Sequence, residues 1–289
     1  MSARDLLLLL RPHHWVKNGF VLTGLLFGHG WGDPHYVAAA LVAALAFCLA
    51  SSAVYAFNDA QDAVHDREHP EKRNRPVARG AITPRAAQGI ALLLAVAALG
   101  IAFAAGVRVA AIVAAYIVLT AAYSLGLKHV AVLDVFIIAA GFMLRILAGT
   151  WGIGIEPSRW LLACGFLLTL FLGFAKRRAE LDRLADDAGQ HRAVLEDYSL
   201  AFLDRAVFAC ALGMVVTYAL YTVAETTVAL HGTERLIWSL PWVLLGTFRY
   251  LFRLHYRGGG GDPAQELLRD PLLAAAALGW VATVSFLIG

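Results

Sequence analysis

Apolar residues in this chain run in blocks of about twenty, the length an α-helix needs to cross a bilayer, and polar residues gather in the joints between them. The blocks fall at 15–32, 36–57, 86–106, 109–127, 130–152, 159–175, 206–224, 234–254 and 271–288. They predict an all-α, polytopic membrane protein of nine transmembrane helices. Blocks 86–106, 109–127, 206–224 and 271–288 hold no charged residue, whereas the first, with Lys17, and the eighth, with Arg249 and Arg253, are the weakest.

The joints are uneven. Those at 33–35, 107–108, 153–158 and 225–233 are short, whereas 58–85 and 176–205 are each about thirty residues long. Cytoplasmic loops are enriched in Lys and Arg. With the N-terminus inside, every basic residue except Arg108, Arg145, Arg159 and Arg235 falls on the cytoplasmic side. The expected topology is therefore N-in in the plasma (inner) membrane, with both long joints, and the chemistry, on the cytoplasmic face. Residues 1–289 are read as a single transmembrane domain with cytoplasmic cap segments at 58–85 and 176–205. Residues 58–70 are acidic and free of glycine, and 176–204 are rich in good helix formers, so both caps are expected to extend helices out of the membrane.

Composition sharpens this picture. Of 289 residues, 60% are hydrophobic and only 16% charged, against roughly 25% charged in a soluble domain, which excludes a water-soluble fold. The net charge of +3 then reports membrane sidedness rather than nucleic-acid binding. Cys48, Cys164 and Cys210 lie inside apolar blocks without ligand spacing, so neither a disulfide framework nor a zinc site is expected. The leucine run DLLLLL closes at Arg11-Pro12 with no small-residue cleavage site, and reads as retained rather than as a cleaved signal.

The most informative polar stretch is NDAQDAVHDREHPEKRNRPVARG, Asn58 to Gly80. If the second helix continues to about Arg67, Asp59, Asp62 and Asp66 lie at i, i+3 and i+7, with Asn58 one turn before Asp62. Three carboxylates so placed repel one another unless a cation sits among them. Mg²⁺ suits best, with Mn²⁺ in its stead, because such ions accept a few carboxylates together with phosphate oxygens and water. A solvated acidic helix end is the plain alternative, but acids emerging straight from an apolar block are costly unless used. The basic run that follows, Lys72, Arg73, Arg75 and Arg79, can hold phosphate oxygens by charge-assisted bonds or simply anchor the cytoplasmic side.

The second long joint opens with KRRAELDRL from Lys176. Lys176 and Glu180, like Arg178 and Asp182, stand one turn apart, the pattern of a salt-bridged surface helix. Lys176, Arg177 and Glu180 are expected at the membrane level of Asp62 and Asp66, which makes them the functional candidates here. Asp197-Tyr198 precedes the seventh block and is placed to cap it. Asp134 and Arg145 share a face of the fifth block about 16 Å apart, and ionisable residues inside a span face a cavity or a partner. Lys128 and His129 add a further basic wall, and Arg11, His13, His14, Lys17 and Asn18 form a mixed patch where the first block begins. No P-loop, nucleophile elbow or CxxC is present, and RLHYRGGGGDP lacks the GK[ST] of a nucleotide loop.

These residues resemble the UbiA superfamily of membrane transferases, whose first acidic motif, NDxxDxxxD, is matched by Asn58, Asp59, Asp62 and Asp66. LRPHHWVKN, YSLGLKHVAVLD followed by GFMLRILAG, KRRAEL and RGGGGDPAQELLRDP are similar to its decaprenyl-phosphate phosphoribosyltransferase branch, and together they span nearly the whole chain. The resemblance implies nine helices around a cytoplasm-facing cavity that binds a diphosphate through Mg²⁺. Prenyl-transferring members carry a second aspartate-rich motif between the sixth and seventh helices. Lys176, Arg177 and Glu180 stand there instead, although Asp182 and Asp186 keep an acidic spacing. This departure counts against the main rival reading, prenyl transfer to an aromatic or other small acceptor. A transporter would show an inverted repeat with broken helices, and none is visible.

The resemblance further implies transfer of 5-phosphoribose from 5-phosphoribosyl 1-diphosphate to a polyprenyl phosphate, with release of diphosphate, to supply an arabinose donor for the cell envelope. Asp59, Asp62 and Asp66 are then expected to hold Mg²⁺ and, with Lys176, to carry catalysis. Asn58, Arg67, Arg73, Arg75, Lys128, Arg177 and Glu180 are expected around the sugar diphosphate, and Arg145 or Lys17 at the lipid phosphate. The acceptor is already an anion and needs no general base. Lipid and sugar diphosphate are the expected partners, nucleic acid is not, and a homo-oligomer is left open.

Overall fold

The computed structural model describes residues 2–68, 72–184, 193–261 and 263–288, and every regular element among them is helical. The chain divides into two compact units, Met1–Pro157 and Ser158–Gly289. In the first, α1 (Ala3–Leu10) leads into a 3-10 stretch, Pro12–Leu22, and a short α2 (Thr23–Phe27). There follow α3 (Pro34–Gln61), α4 (Ala63–Glu68), α5 (Pro84–Ala105), α6 (Val107–Leu125) and α7 (Leu133–Ala148). The second unit contains α8 (Arg159–Leu184), α9 (Leu200–Val223), α10 (Glu225–His231), α11 (Leu240–Tyr256), α12 (Pro263–Arg269) and α13 (Pro271–Ile288).

Seven helices among the described residues are long and apolar enough to cross a membrane: α3, α5, α6, α7 with the turn to Ile153, α8, α9 and α13. The other two expected spans take different forms. Block 15–32 is mostly 3-10 and short α-helix, because Gly19, Gly24, Gly28, Gly30 and Gly32 interrupt it and each glycine inside an α-helix costs about 1 kcal/mol. Block 234–254 divides into a 3-10 turn, Arg235–Ser239, and α11, whose second residue, Pro241, is tolerated only in a first turn.

The spanning helices start where the sequence supplies caps. Asp33 accepts from the His35 backbone N–H at 2.8 Å before Pro34 opens α3, and Thr83 accepts from Ala86 at 3.2 Å before Pro84 opens α5. Ser199, rather than Asp197, caps α9 through the Phe202 N–H.

Small residues decide how closely the first unit packs. Ala40, Ala43, Ala46 and Ala50 recur along one stripe of α3 and meet Ala98 and Ala102 of α5 and Val109, Ile112 and Tyr116 of α6. Without a hydrophobic drive inside lipid, such close backbone approach supplies the packing energy. At Gly149 an added Cβ would strike the Val21 carbonyl, so the 3-10 stretch passes directly against the end of α7. A second cluster, Leu9, Ala56, Ala60, Ala63, Val77, Ile82, Ala87 and Ala91, packs around the end of α3 that carries the acidic motif.

In the second unit α8 packs along α9 and α11 along α13. Three of its polar side chains form a directed string: the Trp280 indole donates to the Tyr218 hydroxyl at 2.7 Å, and Ser239 donates to the Leu236 carbonyl at 2.6 Å. Tyr218 must therefore donate to Ser239, 2.6 Å away, which leaves no member of the string unsatisfied.

Candidate active site at the end of α3

The helix that carries the acidic motif comes in two pieces. α3 stops at Gln61, Asp62 forms a bend, and α4 resumes at Ala63, in place of the single helix expected to Arg67. Backbone hydrogen bonds cross the bend, Asp62 N–H to Asn58 O at 2.9 Å and Asp66 N–H to Asp62 O at 2.8 Å, so the three aspartates keep nearly helical spacing. Asn58 donates its side-chain amide to Asp62 Oδ2 at 3.1 Å. That bond holds the Asp62 carboxylate one turn from its helical neighbour.

Each aspartate is met by a side-chain cation. Arg75 Nη1 lies between two of them, 3.1 Å from Asp59 Oδ1 and 2.7 Å from Asp66 Oδ2. Arg11 Nη2 reaches the same Asp59 oxygen at 2.5 Å, with its guanidinium 4.9 Å from the centre of the Tyr55 ring. Lys128 Nζ contacts Asp62 Oδ1 at 2.7 Å. Asp59 and Asp66 are buried, and Asp62 is half-buried. The other oxygen of Asp59, Oδ2, is buried with no hydrogen-bond partner.

A buried, orphaned carboxylate oxygen is costly and calls for a ligand. The donors here are hard carboxylate oxygens, which suit Mg²⁺ or Mn²⁺. Among the described residues, no three Asp, Glu, His or Cys side chains gather into a ready-made cation cage. The expected triad is therefore a set of carboxylates shared out among three cations.

The remaining candidates separate. Arg67 is exposed and donates to the Ala78 carbonyl at 3.0 Å, tying α4 to the turn that follows, and Arg73 is exposed on the 3-10 turn Lys72–Asn74. Lys17 is half-buried in the 3-10 stretch. Arg145 is buried: it donates to Asn18 Oδ1 at 2.8 Å, to the Gly141 carbonyl at 2.9 Å and to the Tyr116 hydroxyl at 3.0 Å. Its guanidinium also lies 4.6 Å from the Tyr116 ring centre. These contacts pin the 3-10 stretch to α6 and α7.

In the second unit, Arg177 is buried and pairs with Glu180 at 2.6 Å, whereas Lys176 is exposed and stands 4.0 Å from Glu180. Asp182 pairs with Arg178 at 3.0 Å, and Arg178 also holds Asp204 at 3.1 Å. Asp186, the other acid with metal-motif spacing, lies outside the described residues.

Arg11 and Tyr55 were not singled out from sequence as site residues. Arg11 stands directly before Pro12 and takes a left-handed backbone, φ 50°, unusual for a residue with a side chain. The preceding Leu10 carbonyl is held by Ser52 Oγ at 2.8 Å, and the Trp15 indole donates to Ser52 at 3.0 Å. The sequence signal was an Arg-Pro pair at the membrane entrance, and only the fold brings it to Asp59.

Fold and site together define a multi-pass α-helical membrane protein with a carboxylate-and-cation cluster at the end of α3, the longest apolar helix among the described residues. The model of the UbiA prenyltransferase family matches residues 19–268, and the chain belongs to that family. It is 34% identical over 279 residues to the decaprenyl-phosphate phosphoribosyltransferase of Corynebacterium glutamicum, covering 94% of this chain and 83% of that one. It is 35% identical over 284 residues to the protein of the same name from Mycolicibacterium smegmatis, covering 95% and 89%. Among solved structures, a UbiA homolog from Archaeoglobus fulgidus bound to GPP and Mg²⁺ shares the fold, with a TM-score of 0.71 at 18% identity over 98% of this chain and 97% of that one.

Proposed function

We propose that this protein transfers 5-phosphoribose from 5-phosphoribosyl 1-diphosphate to a polyprenyl phosphate and releases diphosphate. The observation that carries this reading is the near full-length likeness to two decaprenyl-phosphate phosphoribosyltransferases. The site supplies what the reaction needs, carboxylates for a divalent cation and cations for phosphate oxygens.

In the reaction, an oxygen of the lipid phosphate forms a bond to C1 of the ribose while the bond from C1 to the diphosphate oxygen breaks, and the electron pair leaves with the diphosphate. The attacking group is an anion, so no base is required. Asp59, Asp62 and Asp66 would hold Mg²⁺, which when bound would offset negative charge on the leaving diphosphate. Arg75 and Lys128, which contact these carboxylates at 2.7 to 3.1 Å, serve the diphosphate. Asn58 orients Asp62, and Arg67 and Arg73 border the entry. Lys17 is assigned to the lipid phosphate, because the Arg145 donors are turned to Asn18, Gly141 and Tyr116. On α8, Lys176 and Arg177 are further anion-binding residues, with Glu180 holding Arg177 in place.

The distribution of Lys and Arg supports an N-in topology with the acidic end of α3 on the cytoplasmic side. The 3-10 stretch with α2, and α11, are the two crossings beyond the seven. The test is to incubate the purified protein with Mg²⁺, decaprenyl phosphate and either labelled 5-phosphoribosyl 1-diphosphate or a labelled prenyl diphosphate. Sugar label entering the lipid fraction supports the proposal. Label moving only from prenyl diphosphate to a small acceptor overturns it.

A further inference from the structure

Three cations face three carboxylates at the end of α3, and they do so unevenly. A single nitrogen of Arg75 spans Asp59 and Asp66, the outer members of the motif. Asp59 Oδ1 takes two guanidinium groups, Arg75 at 3.1 Å and Arg11 at 2.5 Å, while its Oδ2 takes none and is buried. Lys128 closes the set on Asp62. The cluster is therefore neutral by formal charge, yet it keeps one carboxylate oxygen open.

Arg11 is placed there by its backbone. It adopts the left-handed region without being glycine, while its guanidinium lies against Tyr55. Such conformations persist only where the surroundings enforce them. Here Ser52 fixes the Leu10 carbonyl and Trp15 fixes Ser52, which sets the turn that aims Arg11 at the α3 terminus.

Charge balance makes this arrangement selective. A divalent cation arriving alone meets carboxylates already neutralised, and two guanidinium groups and an ammonium oppose its approach. An inorganic diphosphate arriving alone finds the same donors already paired. When both arrive together, the carboxylates turn to the metal and Arg11, Arg75 and Lys128 turn to the diphosphate oxygens, so no charge is left unpaired. We infer that these three residues form an exchange set: they make divalent-cation binding at Asp59, Asp62 and Asp66 conditional on the diphosphate, with Arg11 as a further diphosphate-binding residue. The inference rests on the reading of these aspartates as the metal site. By linkage, the diphosphate and the metal must strengthen each other's binding by the same factor.

The experiment is calorimetric titration of the full-length protein in detergent with Mn²⁺, with and without inorganic diphosphate, against protein-free blanks that remove the metal–diphosphate complex. The wild type is expected to bind Mn²⁺ about tenfold or more tightly once diphosphate is present, within the usual range of coupling between sites. Arg75→Gln and Arg11→Gln, checked for wild-type melting behaviour, are expected to bind Mn²⁺ alone more tightly and to lose most of that coupling. Wild-type Mn²⁺ affinity that stays within about twofold on adding diphosphate overturns the exchange. So does an Arg75→Gln protein that binds Mn²⁺ alone no better than wild type and keeps full coupling. Absence of Mn²⁺ binding under both conditions instead sinks the metal reading itself, and the two failures are thus distinguishable.

Discussion

Two carboxylate–arginine clusters, one in each unit, use the same groups to opposite ends. In the second unit, Asp270 accepts from Arg249 Nε and Nη2 at 3.1 and 2.7 Å, from Arg253 Nη1 at 2.9 Å and from the Leu273 backbone N–H at 2.9 Å. Glu266 takes Arg253 Nε at 2.6 Å. Both oxygens of Asp270 are used, and the residue caps α13 while bolting it to α11. At the end of α3, Asp59 shares one oxygen between two arginines and leaves the other buried without a partner. A saturated cluster can only hold structure together, whereas an unsaturated one retains capacity for a ligand.

Breaking the unsaturated cluster should have the largest effect on turnover. Asp59→Asn and Asp62→Asn are expected to lower phosphoribosyl transfer on the order of a hundredfold or more, the scale of losing one preorganised charge contact in a reaction centre, with melting in detergent little changed. A rate within about threefold of wild type would move the site elsewhere.

Breaking the saturated cluster should act on stability. Asp270→Ala leaves two arginines without their buried partner and is expected to cost about 3 kcal/mol, seen as a lowered melting temperature. Transfer per folded molecule should be retained.

A smaller effect should follow from Arg145→Lys. A lysine cannot reproduce three donors fixed on Asn18, Gly141 and Tyr116, and a loss of about 1 to 2 kcal/mol is expected. If the KM for the lipid phosphate rises while melting is unchanged, Arg145 rather than Lys17 meets that phosphate.

The smallest effect concerns acid. The hydrogen bonds from Arg249, with those from Leu273 and Arg253, hold the Asp270 carboxyl far below its ordinary value of 3.8. A carboxyl whose folded pKa is depressed stabilises the fold above the unfolded pKa and loses that contribution as pH falls through the folded one. The melting difference between wild type and Asp270→Asn should accordingly stay level from pH 7 to about pH 4 and shrink only below it. A difference that vanishes between pH 7 and pH 5 would mean that Asp270 is not held in this way.

Much of this was legible in the chain because lipid imposes a simple rule on length and polarity. Seven of the blocks became long apolar helices, α13 on the residues expected. The acidic motif was legible for the same reason, since charge at the edge of an apolar block stands out against its background. Asp62 is met by Lys128, one of the residues expected around the sugar diphosphate. Less legible was whatever depends on contacts distant in sequence. Arg11 lies 48 positions before Asp59 and reaches it only because Ser52 and Gly149 fix the course of the 3-10 stretch. The same holds for RGGGGDP: Gly258 and Gly260 take positive φ, and the Gly258 carbonyl accepts from Arg183, so these glycines shape a turn rather than cradle a nucleotide.

The most direct measurement is turnover per folded molecule for Asp59→Asn and Asp270→Asn, assayed side by side with labelled 5-phosphoribosyl 1-diphosphate and decaprenyl phosphate, with melting recorded on the same samples. The account predicts that Asp59→Asn melts like wild type and fails to transfer, while Asp270→Asn melts early and transfers at the wild-type rate where folded. Normal transfer by Asp59→Asn, or loss of transfer by well-folded Asp270→Asn, would contradict it.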